Sequence, residues 1–418
     1  MTMVAQQQTT EFVREFYTTY PYPDPRYVAE SRTPLSALLD YVKNLYWPFR
    51  PSLAGVRVLD AGCGTGVAAL SLARRFPEVD VTAIDLSAAS LDLARTAAKE
   101  RGLKNVSFHQ ATLLDAATFG SFQYIVASGV VHHMADPVAG FDALRNALTP
   151  DGVLMAMVYA QYGRTGVYML QEAFRRLAPE GYRTVSPATA RAIASNLPAG
   201  HLFDAERFVE MDWQNECGVV DLLLHPQDRA YTVPQIVDHC QQAGLRLQRF
   251  VSQTAYEPTT YPLPAAEAAR AAALPDYERW ALGELLNGNM VKHEFYATRD
   301  TFEPVRIKPE GAILMAVRIL RSPTWDWAAA REVRADDGSP TFELREWVAS
   351  AGGRLISLQP WQMELIQSFD GRLTALELFG QAGVNALIPG DDQDAKLRLY
   401  GNLLQMLVEQ EVLLADPS

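Results

Sequence analysis

At 418 residues the chain exceeds one ordinary domain, which predicts at least two structural units. Apolar residues make up 48% and charged residues 21%, ordinary for a globular protein, so a disordered or collagen-like chain is excluded. The 37 basic and 49 acidic residues leave a net charge of −12, which argues against a protein that grips nucleic acid or an anionic membrane through bulk charge. Three cysteines, Cys63, Cys217 and Cys240, have no CxxC spacing. Neither a disulfide framework nor a metal site is expected. Residues 1–10 lack a basic stretch and an apolar stretch, so no signal peptide is expected. No apolar run approaches the ~20 residues of a membrane span. The expectation is a cytoplasmic enzyme with no membrane partner.

Residues 11–50 are rich in aromatics and proline, among them Phe12, Phe16, Tyr17, Tyr20, Tyr22, Pro23, Pro25 and Tyr27. Prolines forbid a long helix there, and so many rings must pack on a body or line a cavity. From residue 56 the pattern becomes strand–helix alternation. Residues 56–60 (VRVLD), 79–85, 106–109, 124–128 and 153–159 read as strands; 67–76, 87–101 and 137–148 read as helices. Strands apolar on both faces, alternating with helices, predict a parallel sheet covered on both sides. The alternation lapses over 160–230, which reads as helices and loops broken by Pro179, Pro187 and Pro198. It resumes with a helix at 232–244 and a strand at 245–251. A helical stretch at 265–286 then leads to residues 292–298, expected to be a last edge strand. Residues 301–340 read as a connecting region and 341–414 as mostly helical, with turns at Asp370-Gly371 and Pro389-Gly390.

The strongest local signal is Leu59-Asp60-Ala61-Gly62-Cys63-Gly64-Thr65-Gly66, placed where a strand turns into a helix. There a ligand meets backbone N–H groups and a helix N-terminus. Nineteen residues beyond Gly66, Asp85 ends the next strand, suited to accept both hydroxyls of a ribose. Asp60 inside the turn would repel a pyrophosphate but suits a cofactor carrying an ammonium and a sulfonium.

This order resembles the first motif of the class I S-adenosylmethionine-dependent methyltransferases. The resemblance continues through residues 81–86, through Ser128-Gly129-Val130-Val131-His132-His133, and through Leu148-Thr149-Pro150-Asp151-Gly152-Val153-Leu154. It implies an α/β, Rossmann-like sheet with helices on both faces and S-adenosylmethionine as cofactor, released as S-adenosylhomocysteine. It implies that Asp60, Gly62 and Gly64 hold the methionine part, that Asp85 takes the ribose, and that Leu86 packs on the adenine. Cys63 (present for size, not thiol chemistry), Thr112, Leu113, Ser128 and Gly129 complete the expected cofactor pocket. Two positions depart from the family's pattern: Ala111-Thr112-Leu113 replaces the usual acid beside the adenine amine, and Gln123 stands where an aspartate often opens the fourth strand. Thr112 reads equally as a hydroxyl that caps the loop.

His132 and His133 are the catalytic candidates, because imidazole titrates near neutrality and can take a proton from a hydroxyl or amine. Methyl transfer from a sulfonium is an in-line displacement, so positioning alone can supply most of the acceleration. For the acceptor, Tyr17, Tyr20 and Tyr22 are read as a lid or as packing, and Tyr159, Tyr162 and Arg164 as rim residues, with Arg164 able to clamp a carboxylate. Tyr168, Phe174, Arg175 and Arg176 read as core and solvated face. The polar run from His225 to Tyr231 is read as a loop able to reach the site. Residues 357–415 resemble a small winged helix; with 11 basic and 17 acidic residues over 301–418, DNA is not its expected partner. The same region reads equally as a dimerisation or lid module.

The expected organisation is an aromatic cap (1–52), a methyltransferase domain (53–300) with a substrate insertion at about 160–230, a connector (301–340) and a winged-helix-like domain (341–418). The expected function is methyl transfer to an O, N or C acceptor on a small molecule or peptide, with no nucleic-acid partner and a homodimer as one option. A non-catalytic cofactor-binding protein acting through its C-terminal module is the alternative. A nicotinamide-dependent oxidoreductase is disfavoured by Asp60.

Overall fold

A computed structural model describes residues 11, 13–23, 38–177, 185–205, 213, 215–225, 227–304, 311–316, 318–321, 325, 327, 330–335, 338–345, 355–409 and 413–416. Phe12, Pro25, Tyr27, Pro179 and Pro226, singled out from the sequence, lie outside these residues. Two compact units divide the chain: residues 1–36 with 54–302, and residues 37–53 with 303–418.

The first unit is built on seven strands: β1 (Arg57–Ala61), β2 (Asp80–Asp85), β3 (Val106–Gln110), β4 (Phe122–Ser128), β5 (Leu148–Tyr159), β6 (Leu245–Phe250) and β7 (Lys292–Arg299). They lie in the order β3-β2-β1-β4-β5-β7-β6. The first five are mutually parallel, and β7 runs antiparallel to both neighbours. The apolar runs account for this: every residue of β4 from Tyr124 to Ala127, and of β5 from Val153 to Ala156, is shielded completely from solvent. Residues 292–299 therefore do not form the expected edge strand. They are buried in the middle of the β5–β7–β6 half, Phe295 and Tyr296 wholly so, and β6 takes the edge.

Helices α1 (Val67–Arg75), α2 (Ala88–Glu100), α3 (Pro137–Ala147), α4 (Thr165–Leu177), α5 (Pro187–Ala194), α6 (Glu216–Leu224) and α7 (Val233–Gln242) follow in chain order. Their starts are written in the sequence. Ser87, Asp136, Ser186 and Asn215 each accept a first-turn N–H, and proline opens α3 and α5. One core gathers under α3 and α7; a second gathers Phe16, Val167, Leu170, Phe174 and the apolar face of α6. The strand order reverses between β1 and β4, so a crevice opens at the carboxyl ends of these strands, where α/β sheets bind ligands.

The second unit has its own core of Leu314, Trp325, Leu365, Ile366, Tyr400, Leu404 and Leu407. One antiparallel sheet places β8 (Arg318–Arg321) between β12 (Asp370–Thr374) and β13 (Leu413–Asp416); another places β10 (Pro340–Arg345) between β9 (Arg331–Arg334) and β11 (Leu355–Leu358). Three expectations change here. The expected connector, 301–340, supplies β8, β9 and the core side chains Leu314 and Trp325. Residues 37–53 pack with this unit and not with an N-terminal cap; the helix Leu38–Tyr46 lies there. Asp370-Gly371 opens a strand where a turn between helices was expected. The mostly helical expectation for 341–414 is met by Pro360–Gln367, Ala375–Phe379 and Gln393–Glu409, with Thr374 capping the second through Glu377, but strands β10 to β13 lie there too.

Candidate active site

The chain leaves β1 through Gly62 (φ 80°), Gly64 (φ 52°) and Gly66 (φ 87°) before α1 begins. These left-handed conformations need glycine, and the turn is crowded. A Cβ on Gly64 would sit 2.2 Å from the Tyr22 carbonyl oxygen, and one on Gly62 would sit 2.3 Å from a Val130 methyl. Two carboxylates hold the turn from inside. Asp60, 3% exposed, accepts the Ala69 N–H at 2.9 Å and so caps α1. Burial, with Asp85 nearby, pushes its carboxyl up to about 7. Asp85 accepts Gly64 N–H and Ser87 N–H, each at 2.8 Å, and burial raises it as well. Each carboxylate oxygen keeps a lone pair for a further donor. A narrow glycine cradle, a helix that starts at a glycine N-cap, and two acids, Asp60 buried and Asp85 half-buried, fit a cofactor with an ammonium, a sulfonium and a ribose.

Of the other expected cofactor residues, Cys63 is buried, its N–H donating to Ile84 O at 3.0 Å, and burial lifts its thiol well above the usual range. Leu86 is half-buried and its carbonyl accepts from Gln110. Gly129 (φ 79°) follows Ser128 at the end of β4. Leu113 is buried, at the start of a short 3-10 helix. Thr112 caps that helix: its hydroxyl donates to Asp115 at 3.0 Å. Gln123 accepts the Arg57 N–H at 2.8 Å and so serves strand pairing.

Behind this cradle lies a buried polar cluster that only the fold assembles. Asp221, on α6, accepts from the Tyr17 hydroxyl at 2.8 Å and the Tyr159 hydroxyl at 2.9 Å. His132 stacks on Tyr159 at 3.9 Å, and His133 stacks on His225 at 3.9 Å. Burial, with His133 and Arg164 close by, holds His132 far below the usual imidazole range. It is therefore neutral near pH 7. Arg164, 2% exposed, lies 3.5 Å over the Tyr159 ring and 3.5 Å from Asp228. Asp228 also accepts from Gln171 at 2.9 Å and Tyr168 at 3.4 Å. Arg164, the expected clamp, faces the chain's own Asp228 here, and Tyr168 belongs to this cluster more than to a plain core. Phe174 is core, and Arg175 and Arg176 pair with Glu172 on the surface.

Tyr162 does not join the cluster. It lines an open pocket of about 560 Å³ with His201, Phe203, Asp204 and Asn289, which no cluster residue lines. The N-terminal segment serves both expected roles. Phe16 is wholly buried in the second core, with Tyr20 partly buried against it. The Tyr17 carbonyl accepts from Ser87 Oγ at 3.2 Å, while Tyr22 O and Pro23 O accept from Thr65 N–H and Thr65 Oγ1. Residues 17–23 therefore touch the glycine turn, the Asp85 loop and the Asp221 cluster together. Asp221 was missed from the sequence, because it sits in the apolar run 219–224 and looks like one polar residue on a core helix. Its one signal was a carboxylate four residues before His225.

Fold and site define a methyltransferase. Residues 52–216 match the family model described as a methyltransferase domain. The uncharacterized protein syc1184_c of Synechococcus sp. is 30% identical over 348 residues, 79% of this chain and 81% of that protein. The ubiquinone biosynthesis O-methyltransferase of Psychrobacter cryohalolentis is 29% identical over 195 residues, 44% of this chain and 69% of that enzyme. Among solved structures, PKMT2 from Rickettsia typhi in complex with AdoHcy superposes with a TM-score of 0.66 at 17% identity, covering 96% of this chain and 76% of that one. The chain belongs to the class I S-adenosylmethionine-dependent methyltransferases, in one family with the Synechococcus protein. Its cofactor is S-adenosylmethionine and its activity is methyl transfer. No helix among the described residues is long and apolar enough to cross a membrane.

Proposed function

We propose that the methyl group goes to a small molecule or peptide held against the Tyr17–Asp221–Tyr159 cluster, beneath residues 17–23. The observation that carries this is the double attachment of Tyr17. Its carbonyl meets Ser87 beside Asp85, and its hydroxyl meets Asp221, so one residue ties the cofactor cradle to the cluster. The cofactor supplies an activated methyl on a sulfonium. Asp85 holds the ribose; Asp60, Gly62 and Gly64 hold the methionine part; Tyr17, Tyr22 and Tyr159 shape a dry space around the acceptor. Within this reading the C-terminal unit is a winged-helix-like module that leaves the chemistry to the first unit, supported by its short helices and antiparallel sheet. A cytoplasmic setting and a homodimer that covers the exposed Leu376, Leu399 and Met406 belong to the same proposal.

Methyl-tritiated S-adenosylmethionine, incubated with the protein and a fractionated cell extract, tests the reading. Label is expected in small molecules or peptides, and label in nucleic acid would refute it. Asp221→Asn is expected to lower labelling while the S-adenosylhomocysteine dissociation constant stays within about twofold. Asp85→Ala is expected to weaken that binding at least about tenfold, because charge-assisted bonds of roughly 1.5–3 kcal/mol each are lost.

A further inference from the structure

One loop residue holds two imidazoles in opposite senses. The Gln227 N–H donates to His225 Nδ1 at 3.0 Å, and the Gln227 carbonyl accepts from His133 Nδ1 at 2.7 Å. Only an unprotonated ring nitrogen accepts an N–H, so neutral His225 carries its proton on Nε2. Only a protonated ring nitrogen satisfies a carbonyl, so His133 carries its proton on Nδ1 and presents a lone pair at Nε2. His225 is 4% exposed, and its Nε2 is buried without a hydrogen-bond partner. His133 is 5% exposed. The two rings stack with an interplanar angle of 27°. One nitrogen of each and an Asp221 oxygen lie within 4.8 Å of one another.

These three side chains are of the types that bind a divalent cation, but the hydrogen bonds argue against one. His225 Nδ1 is occupied by the Gln227 N–H, and its Nε2 carries the proton, so His225 has no lone pair to give. What the pair offers is an unpartnered donor, His225 Nε2–H, on a ring stacked 3.9 Å from His133, whose Nε2 carries the lone pair.

We propose that the methyl acceptor is a hydroxyl group, bound by His225 Nε2–H and deprotonated by His133 Nε2. This rests on the reading that the acceptor binds at this cluster. A hydroxyl oxygen has one proton and two lone pairs. One lone pair accepts from His225, the other attacks the methyl carbon, and the proton goes to His133. A neutral amine has a single lone pair, which is lost to attack once it accepts from His225; an ammonium has none. In the transfer the O–C bond forms and the C–S bond breaks with its electron pair passing to sulfur. The O–H electron pair stays on oxygen, and the proton converts His133 to imidazolium beside the Asp221 carboxylate, which stabilises it.

Nitrogen NMR of the full chain with ¹⁵N-labelled histidine and S-adenosylhomocysteine bound tests this, with phenol and methylamine as probes. His133→Asn and His225→Asn assign the signals, and carbon–nitrogen correlations assign the unmutated protein if a variant fails to fold. His133 is expected as the Nδ1–H tautomer and His225 as the Nε2–H tautomer, and phenol, not methylamine, is expected to shift both. Either tautomer reversed, a response to methylamine instead of phenol, or no response to phenol up to its solubility limit overturns the proposal. Failure of S-adenosylhomocysteine to bind in a parallel calorimetric titration would strike the underlying reading; wrong tautomers in the presence of bound cofactor would strike the hydroxyl assignment alone.

Discussion

Asp60 shows how one side chain can serve local structure and ligand at once. Its carboxylate caps α1 through Ala69 N–H, yet burial pushes it up to about 7 from its ordinary 3.8. Between those values the native carboxyl keeps a proton that the unfolded chain has released. The native state then binds more protons than the unfolded one, so stability falls as pH rises from about 4 to about 7. Asp60→Asn removes the titrating group. Urea unfolding at a series of pH values is expected to show wild type losing ground to the variant across that window, at up to roughly 1.4 kcal/mol per pH unit. Parallel pH profiles would mean that Asp60 is ionised throughout. A bound ammonium draws the carboxyl back toward its charged form, which is why a destabilising acid is worth keeping in the cradle.

Among the elements, the N-terminal segment divides into an anchor and a flap. Phe16 is wholly buried beside Val167, Phe174 and Leu223, so Phe16→Ala is expected to cost about 3–5 kcal/mol whether or not cofactor is bound. Residues 20–23 are half-buried and attach to the glycine turn mainly through backbone carbonyls that Thr65 meets. Proteinase K cleavage within residues 18–22 is therefore expected to slow when S-adenosylhomocysteine binds, with the melting temperature of Tyr22→Ala nearly unchanged without ligand. Equal cleavage in both states would make this segment permanent packing and no flap.

The whole molecule has two cores, and the boundary matters for truncation. Deleting residues 341–418 removes both strands that flank β8 and most of the second core. Limited proteolysis of the shortened chain is expected to digest residues 303–340, while the first unit, with its own sheet and core, still binds S-adenosylhomocysteine. Loss of binding in a folded first unit would show that cofactor binding needs the second.

The glycine turn, Asp60, Asp85 and the apolar strands were legible without coordinates, because each is a local demand: a positive φ, a carboxylate at a strand end, a strand buried on both faces. The caps Ser87, Asp136 and Thr374 are decided just as locally, within a few residues. The place of β7 was not, since an apolar strand reads alike at a sheet's edge and in its middle. Thr112 and Arg164 were ambiguous because a capping hydroxyl and a ligand hydroxyl, or a substrate clamp and an internal ion pair, differ only in what stands opposite. Asp115 and Asp228 are the partners that the fold places there. The Asp221 cluster joins residues 17, 133, 159, 221 and 225, up to 208 positions apart. Contacts over such separations leave no periodicity in the chain, so tertiary structure alone decided that Tyr17, His133, Tyr159, Asp221 and His225 meet.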